Sequence, residues 1–199
     1  MNARLISYML AVLVFCLGLS MGLPFFAALY YHDGTAWAFL ISIMVTCGIG
    51  GLVFMLSRGH QDFYLSHRDG IVIVSLGWII AGLTSTLPYI ISCAIPDFTL
   101  AYFESISGFT TTGASILNNI EALPPAILLW RAQTQWMGGM GIIVLSIAIL
   151  PFLGIGGMQL YKAETPSPVV DKLTPRISST AQLLWKIYIF MTVFQILLL

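Results

Sequence analysis

Apolar residues in this chain occur in long runs without a charged residue, and the polar positions are concentrated between them. The four complete runs are 24 to 30 residues long, at residues 5–32, 34–57, 70–96 and 132–161. A helix needs about 20 apolar residues to cross about 30 Å of hydrocarbon. Each run therefore predicts a membrane-spanning helix, and a fifth run starting at Ile187 predicts the beginning of another.

Composition supports the same class of protein. Of the 199 residues, 58% are hydrophobic and only 8% are charged, whereas soluble domains carry charges at about 25% of positions. The first run follows Arg4 but is far longer than the apolar core of a signal peptide, which favours a retained helix. Cys16, Cys47 and Cys93 all fall inside apolar runs, and they predict thiols packed between helices rather than disulfides.

The basic residues predict the orientation. If the N-terminus is cytoplasmic, the inner segments are 1–4, 57–70 and 158–186. They hold seven of the eight basic residues: Arg4, Arg58, Arg68, Lys162, Lys172, Arg176 and Lys186. This asymmetry follows the positive-inside rule. His60 and His67 then lie in a cytoplasmic loop and are expected to be solvated surface residues rather than a metal site.

The outer connection at residues 96–125 is not a typical solvated loop. Asp97 is a suitable helix cap, and residues 98–107 predict a short helix that Gly108 ends. Ten helical residues span about 15 Å, half a bilayer. This is the length of a re-entrant helix.

The segment that follows, residues 108–115, is rich in Thr, Gly and Ser and predicts non-helical backbone. At membrane depth such backbone must line water or be buried in protein. Successive carbonyl groups, with Thr hydroxyls, can replace the water around a cation, and Gly113 can adopt angles that other residues avoid. No ring of carboxylates is evident, so a monovalent cation is favoured. The alternative is a polar turn on the outer surface.

Arg131 lies inside a predicted span, about 10 Å below the helix start at Pro124. A charge there costs a few kcal/mol unless it is paired. Glu104 on the short helix is the expected partner and Glu121 the second choice; the alternative is an Arg131 side chain that extends to outer water. Gly138 and Gly139 predict close packing behind the Thr/Gly segment.

Four motifs carry a family resemblance: SISGFTTTGAS at 105–115, WRAQTQWMGGMG at 130–141, KAETP at 162–166 and KLTPR at 172–176. Together they resemble the Trk-type potassium uptake proteins of the Trk/Ktr/HKT superfamily. The resemblance covers essentially the whole chain.

The resemblance implies an all-α polytopic membrane protein built from four unlike membrane-pore-membrane repeats, each with a re-entrant half-helix and a selectivity-filter loop, related to potassium-channel subunits. Two leading helices occupy residues 1–66, the first repeat 67–160, and a cytoplasmic linker with the start of a second repeat 161–199. The resemblance maps the potassium filter onto Thr110, Thr111, Thr112, Gly113 and Ala114. Thr111, Thr112 and Gly113 are expected to form the ion-facing core, with potassium at Thr111 and Thr112.

The implied function is potassium uptake across the bacterial inner membrane, with potassium as substrate and no covalent cofactor. Implied partners are the remaining repeats of the same protein, a second copy in a homodimer, and a peripheral cytoplasmic nucleotide-binding regulatory subunit of the TrkA type. Proton coupling, gating and the degree of selectivity over sodium stay open. A non-conducting membrane scaffold is the alternative. An enzyme is not expected, because no nucleophile–base pair, metal cluster or phosphate loop is found, and nothing indicates nucleic acid.

Overall fold

A computed structural model describes residues 3–57, 67–149 and 173–198, with side chains at 3–57, 68–142 and 180–198. These residues contain helices and no strand. The helices are α1 (Ala3–Ser20), α2 (Gly22–Tyr31), α3 (Ala36–Ser57), α4 (His67–Ser85), α5 (Leu87–Ile91), α6 (Phe98–Phe109), α7 (Pro125–Ile149) and α8 (Leu173–Leu198). The chain forms two compact units, Met1–Trp136 and Met137–Leu199.

Among the described residues, four stretches are long and apolar enough to cross a membrane. They are Ala3–Tyr31, Ala36–Ser57, Arg68–Ile91 and Thr180–Leu198. Many large apolar side chains on these helices are exposed, as expected for surfaces that face lipid. The predicted span at 132–161 extends beyond the described residues, so its crossing stays a prediction.

The first span, Ala3–Tyr31, contains a short break between two helices. α1 ends at Ser20 and α2 begins at Gly22, with Met21 between them. Pro24 has no N–H to donate to the carbonyl group of Ser20 four residues earlier, so that bond of the helix is missing. Ala3–Tyr31 is still one membrane-length stretch, as the first apolar run predicts, and Pro24 accounts for a break that apolarity alone does not indicate.

The third span is interrupted in a similar way. α4 ends at Ser85, and the five-residue α5 begins at Leu87 with Pro88 in its first turn. After α5 the chain turns at Cys93, which has a positive φ of 59°. Cys93 and Cys16 are exposed rather than packed between helices, so the expectation for these two thiols was wrong.

α1 and α3 pack closely because glycine lies at their contact. A Cβ atom built on Gly50 would lie 2.8 Å from the backbone nitrogen of Phe15, and one on Gly18 would lie 2.5 Å from Cys47 Sγ. Small residues let helix backbones approach closely enough for van der Waals packing, which replaces the hydrophobic effect inside a membrane. α4 packs against α1 of this pair, and α2 and α5 pack against α3.

α6 is the predicted short helix. Asp97 has extended backbone angles and its side chain accepts a hydrogen bond from Leu100 N at 2.9 Å, which confirms the predicted cap. The predicted end at Gly108 was wrong, since the helix continues to Phe109. Gly108 instead allows contact with α7, because a Cβ atom there would lie 2.5 Å from Thr134 Oγ1.

Candidate functional site

Residues 110–114, here called the TTTGA segment, leave the C-terminal end of α6 in a non-helical conformation. Thr110 has φ −78° and ψ 0°, Thr111 has φ 55°, and Gly113 has φ 72°. Thr112, between the two positive values, has a negative φ. The sign of φ therefore changes along the segment, and the backbone does not continue the helix of α6.

Thr111 is the unusual member of this segment. A β-branched residue with positive φ is a conformational outlier that costs about 1–3 kcal/mol and persists only when surrounding bonds impose it. Here the backbone N–H of Thr111 donates to the Gly108 carbonyl at 2.9 Å, and that of Thr110 donates to the Ile106 carbonyl at 2.8 Å. Such strain concentrates at binding sites.

All five residues of the TTTGA segment are exposed in this part of the chain. The hydroxyl groups of Thr110 and Thr112 lie 2.8 Å apart, and the space around a Cβ atom built on Gly113 is open to at least 4 Å. The partial negative charge at the C-terminal end of α6 adjoins this open side. The segment therefore presents oxygen atoms in an environment that favours a cation.

The carboxylate of Glu104 holds the chain that leaves the TTTGA segment. Glu104 is 1% exposed. It accepts hydrogen bonds from Ser115 Oγ at 3.1 Å and from the backbone N–H of Ile116 at 3.2 Å. One buried side chain thus joins the short helix to the segment it supports.

Arg131 completes this arrangement from α7. Its Nε donates to Glu104 Oε1 in an ion pair, and the arginine side chain is 14% exposed. The predicted partner Glu104 is confirmed; the second choice, Glu121, is exposed. Arg131 is turned to Glu104 and mostly buried, so the alternative of a side chain extending to outer water is wrong.

Two other side chains of α7 bind carbonyl groups at the helix interruptions. Gln133 Nε2 donates to the Ser20 carbonyl at 2.8 Å, the group that Pro24 leaves without its helical partner. Trp130, which is fully buried, donates from Nε1 to the Ser85 carbonyl at 3.1 Å. Sequence reasoning missed both residues. Pro24 was a usable signal for a free carbonyl at Ser20, but not for the residue that binds it.

Asp33 connects the α2–α3 turn to the start of α7. One carboxylate oxygen accepts from the backbone N–H and hydroxyl of Thr35, at 2.9 and 2.7 Å, and the other accepts from the N–H of Ala126 at 3.0 Å. Burial raises the pKa of Asp33, but the bonds from Ala126 and Thr35 outweigh it, and the pKa lies below its ordinary value. In the sequence, Asp33 only separates the first two apolar runs, and nothing there indicates its bond to the start of α7.

Replacement of Asp33 by asparagine is expected to lower thermal stability most at neutral pH. The pKa of Asp33 is lower in the folded state than in the unfolded state, where it is about 3.9. The charged carboxylate therefore stabilises the fold at pH values above about 3.9, and this stabilisation is lost as the pH falls through the folded-state pKa. The difference in melting temperature between wild type and Asp33→Asn should therefore shrink below about pH 4. Tryptophan fluorescence of the purified full-length protein measures it.

Glu121→Gln is the matched control, since it neutralises an exposed carboxyl group in the connection between α6 and α7. Its melting temperature should differ little from that of wild type at any pH. A difference for Asp33→Asn that stays constant from neutral to acid pH would contradict a role for the charge.

Within the described side chains, no group of three or more His, Cys, Asp or Glu residues could hold a metal ion. His60 and the side chain of His67 lie outside them. Gly138 and Gly139 lie in α7, in the second compact unit, and their packing behind the TTTGA segment stays a prediction.

Comparison with known proteins identifies the family. Residues 36–199 match the TrkH family, described as a cation transport protein. The chain belongs to the TrkH family. This TrkH-family chain is 46% identical over 195 residues to the Trk system potassium uptake protein TrkH of Halomonas elongata and 45% identical over 196 residues to that of Escherichia coli K12. Each alignment covers 97% of this chain and 40% of the relative.

Two further relatives agree with this assignment. The Trk system potassium uptake protein TrkG of Escherichia coli K12 is 38% identical over 189 residues, with 94% of this chain and 39% of TrkG covered. The crystal structure of the potassium transporter TrkH from Vibrio parahaemolyticus matches with a TM-score of 0.80 and 39% identity, over 97% of this chain and 38% of that one. The predicted fold class, an all-α polytopic membrane protein, is confirmed.

The TrkH-family chain spans about 40% of the length of these relatives. The predicted membership in the Trk-type family is also confirmed.

Proposed function

We propose that this chain provides the first filter segment of a potassium uptake protein of the bacterial inner membrane, the ion-translocating subunit of a Trk-type system. The observation that carries the proposal is the TTTGA segment: a strained Thr111 and a positive-φ Gly113 at the end of a short capped helix, held from behind by Glu104. The names of the relatives, potassium uptake proteins, supply the ion.

In this proposal Thr110, Thr111, Thr112, Gly113 and Ala114 form one of about four filter segments around a central pathway. Carbonyl and hydroxyl oxygens near Thr111 and Thr112 replace part of the water around a potassium ion. The TTTGA segment faces open space in this part of the chain, and later repeats supply the remaining ligands. Ions move along their electrochemical gradient.

The proposed topology places the N-terminus in the cytoplasm, because seven of the eight basic residues then lie on the inner side. Residues 1–66 are the leading helices, 67–160 the first repeat, and 161–199 a cytoplasmic linker with the start of the second repeat. The proposed partners are a second copy and a peripheral nucleotide-binding subunit of the TrkA type on the cytoplasmic face. Arg131, Glu104, Gly138 and Gly139 support the filter.

Uptake of rubidium, a potassium analogue, tests the proposal. The full-length protein is expressed with its regulatory subunit in cells that lack their own potassium uptake. We expect rubidium uptake well above that of cells with an empty vector, suppressed by excess potassium but not by the same concentration of sodium. A protein that reaches the membrane and gives no uptake above the empty vector would favour the non-conducting scaffold.

A further inference from the structure

We propose that Ser107 is a positioning residue that determines which carbonyl groups of the TTTGA segment face the ion, and thereby contributes to the discrimination of potassium from sodium. The inference rests on the proposed function and adds to it a residue outside the filter segment. Ser107 lies in the last turn of α6 and is 5% exposed.

Ser107 makes two bonds to the TTTGA segment, one on each side of Gly113. Its backbone carbonyl accepts a hydrogen bond from the N–H of Thr112 at 3.1 Å. Its hydroxyl donates to the carbonyl group of Ala114 at 2.5 Å. A single buried residue therefore fixes both flanks of the one glycine in the segment.

The hydroxyl bond sets the end of the ion-facing run. Ser107 is buried within the unit, so the bond directs the Ala114 carbonyl toward α6, whereas the surroundings of Gly113 are open. The Ala114 carbonyl is then a structural acceptor, and the row of carbonyl groups available to the ion ends at Gly113. The family resemblance implies a filter of residues 110–114, and this bond removes the Ala114 carbonyl from its ion ligands.

Selectivity depends on the number and position of the carbonyl dipoles around the ion. Without the Ser107 hydroxyl, the Ala114 carbonyl can turn toward the pathway, and Gly113 loses one of its two restraints. Beyond Ala114 the chain stays anchored, because Ser115 and Ile116 are bound to Glu104. The expected defect is therefore local, in ion discrimination rather than in the fold.

The experiment measures rubidium uptake and its inhibition by sodium in cells that express the full-length protein. We expect Ser107→Ala to lower the preference for rubidium over sodium about twofold to tenfold, the range that corresponds to loss of one hydrogen bond. Ser107→Thr keeps a hydroxyl and should restore the preference. Ser107→Cys, with a weaker donor, should give an intermediate value.

Ser105→Ala is the matched control. It removes a hydroxyl from the same helix, but one that is fully buried and contacts Thr86 Oγ1 at 3.4 Å instead of the TTTGA segment. Its rubidium-to-sodium preference should equal that of wild type, even if less protein reaches the membrane.

The outcomes separate this inference from the proposed function. Wild-type protein without uptake would overturn both, whereas wild-type uptake with an unchanged preference in Ser107→Ala overturns only the inference. If Ser107→Ala does not reach the membrane, the same measurement is made on Ser107→Cys, and a rubidium-over-sodium preference equal to that of wild type overturns the inference. Failure of both variants to reach the membrane, or an equal loss of preference in Ser107→Thr, would indicate a purely structural residue and also overturn it.

Discussion

Substitution of Gly113 by alanine is expected to reduce the preference for rubidium over sodium at least about tenfold, which corresponds to 1.4 kcal/mol. Gly113 has φ 72°, where a Cβ atom costs about 1–2 kcal/mol. The added methyl group meets no other atom within 4 Å, so the penalty comes from the backbone alone. The segment can relieve it by returning to negative φ at residue 113, and this rotates the peptide group between Thr112 and Gly113 together with the Thr112 carbonyl.

Gly34 provides an unusually close control for this experiment. It has φ 79°, and a Cβ atom built on it also meets nothing within 4 Å, but it lies in the turn between α2 and α3. Gly34→Ala should carry a similar backbone penalty and leave ion preference unchanged. If Gly113→Ala matches Gly34→Ala in both stability and selectivity, the TTTGA segment is a surface turn and the filter proposal fails.

Removal of either member of the Glu104–Arg131 pair is expected to cost about 3–5 kcal/mol of stability, because each variant leaves an unpaired charge or buried polar group. Arg131→Met leaves the carboxylate of Glu104, which is 1% exposed, without its charged partner. Glu104→Gln also weakens the hydrogen bonds from Ser115 and Ile116. Rubidium uptake should fall in both variants. Fluorescence-detected unfolding of the full-length protein measures the stability, and tracer uptake measures the activity.

The double variant distinguishes a functional pair from two independent residues. Combining Glu104→Gln with Arg131→Met should destabilise less than the sum of the single effects, with a coupling of about 0.5–3 kcal/mol. Glu121→Gln combined with Arg131→Met should be additive, because Glu121 is exposed and Arg131 pairs with Glu104. Additive losses in the Glu104 double variant would show that the two side chains do not act together.

Much of the site was accessible from sequence because its signals are local. A proline–aspartate start, ten residues that favour helix and a Thr/Gly-rich continuation predicted α6 and the non-helical segment after it. The pairing of Arg131 with Glu104 followed from the cost of burying a charge at membrane depth. Ser107, Trp130 and Gln133 were missed because a serine, a tryptophan and a glutamine each have many acceptable environments.

The sequence by itself determined that this chain has helices of membrane-spanning length and that a non-helical Thr/Gly segment follows the short helix α6, since charge-free length and turn chemistry act over a few neighbouring residues. Only the tertiary structure decided which donors bind the free carbonyl groups at Ser20, Ser85 and Ala114. Inside a membrane, where no water replaces a missing helical bond, carbonyl groups such as those of Ser20 and Ser85 need a partner within the protein. Which partner is available depends on how the helices pack, and a one-dimensional pattern does not contain that information.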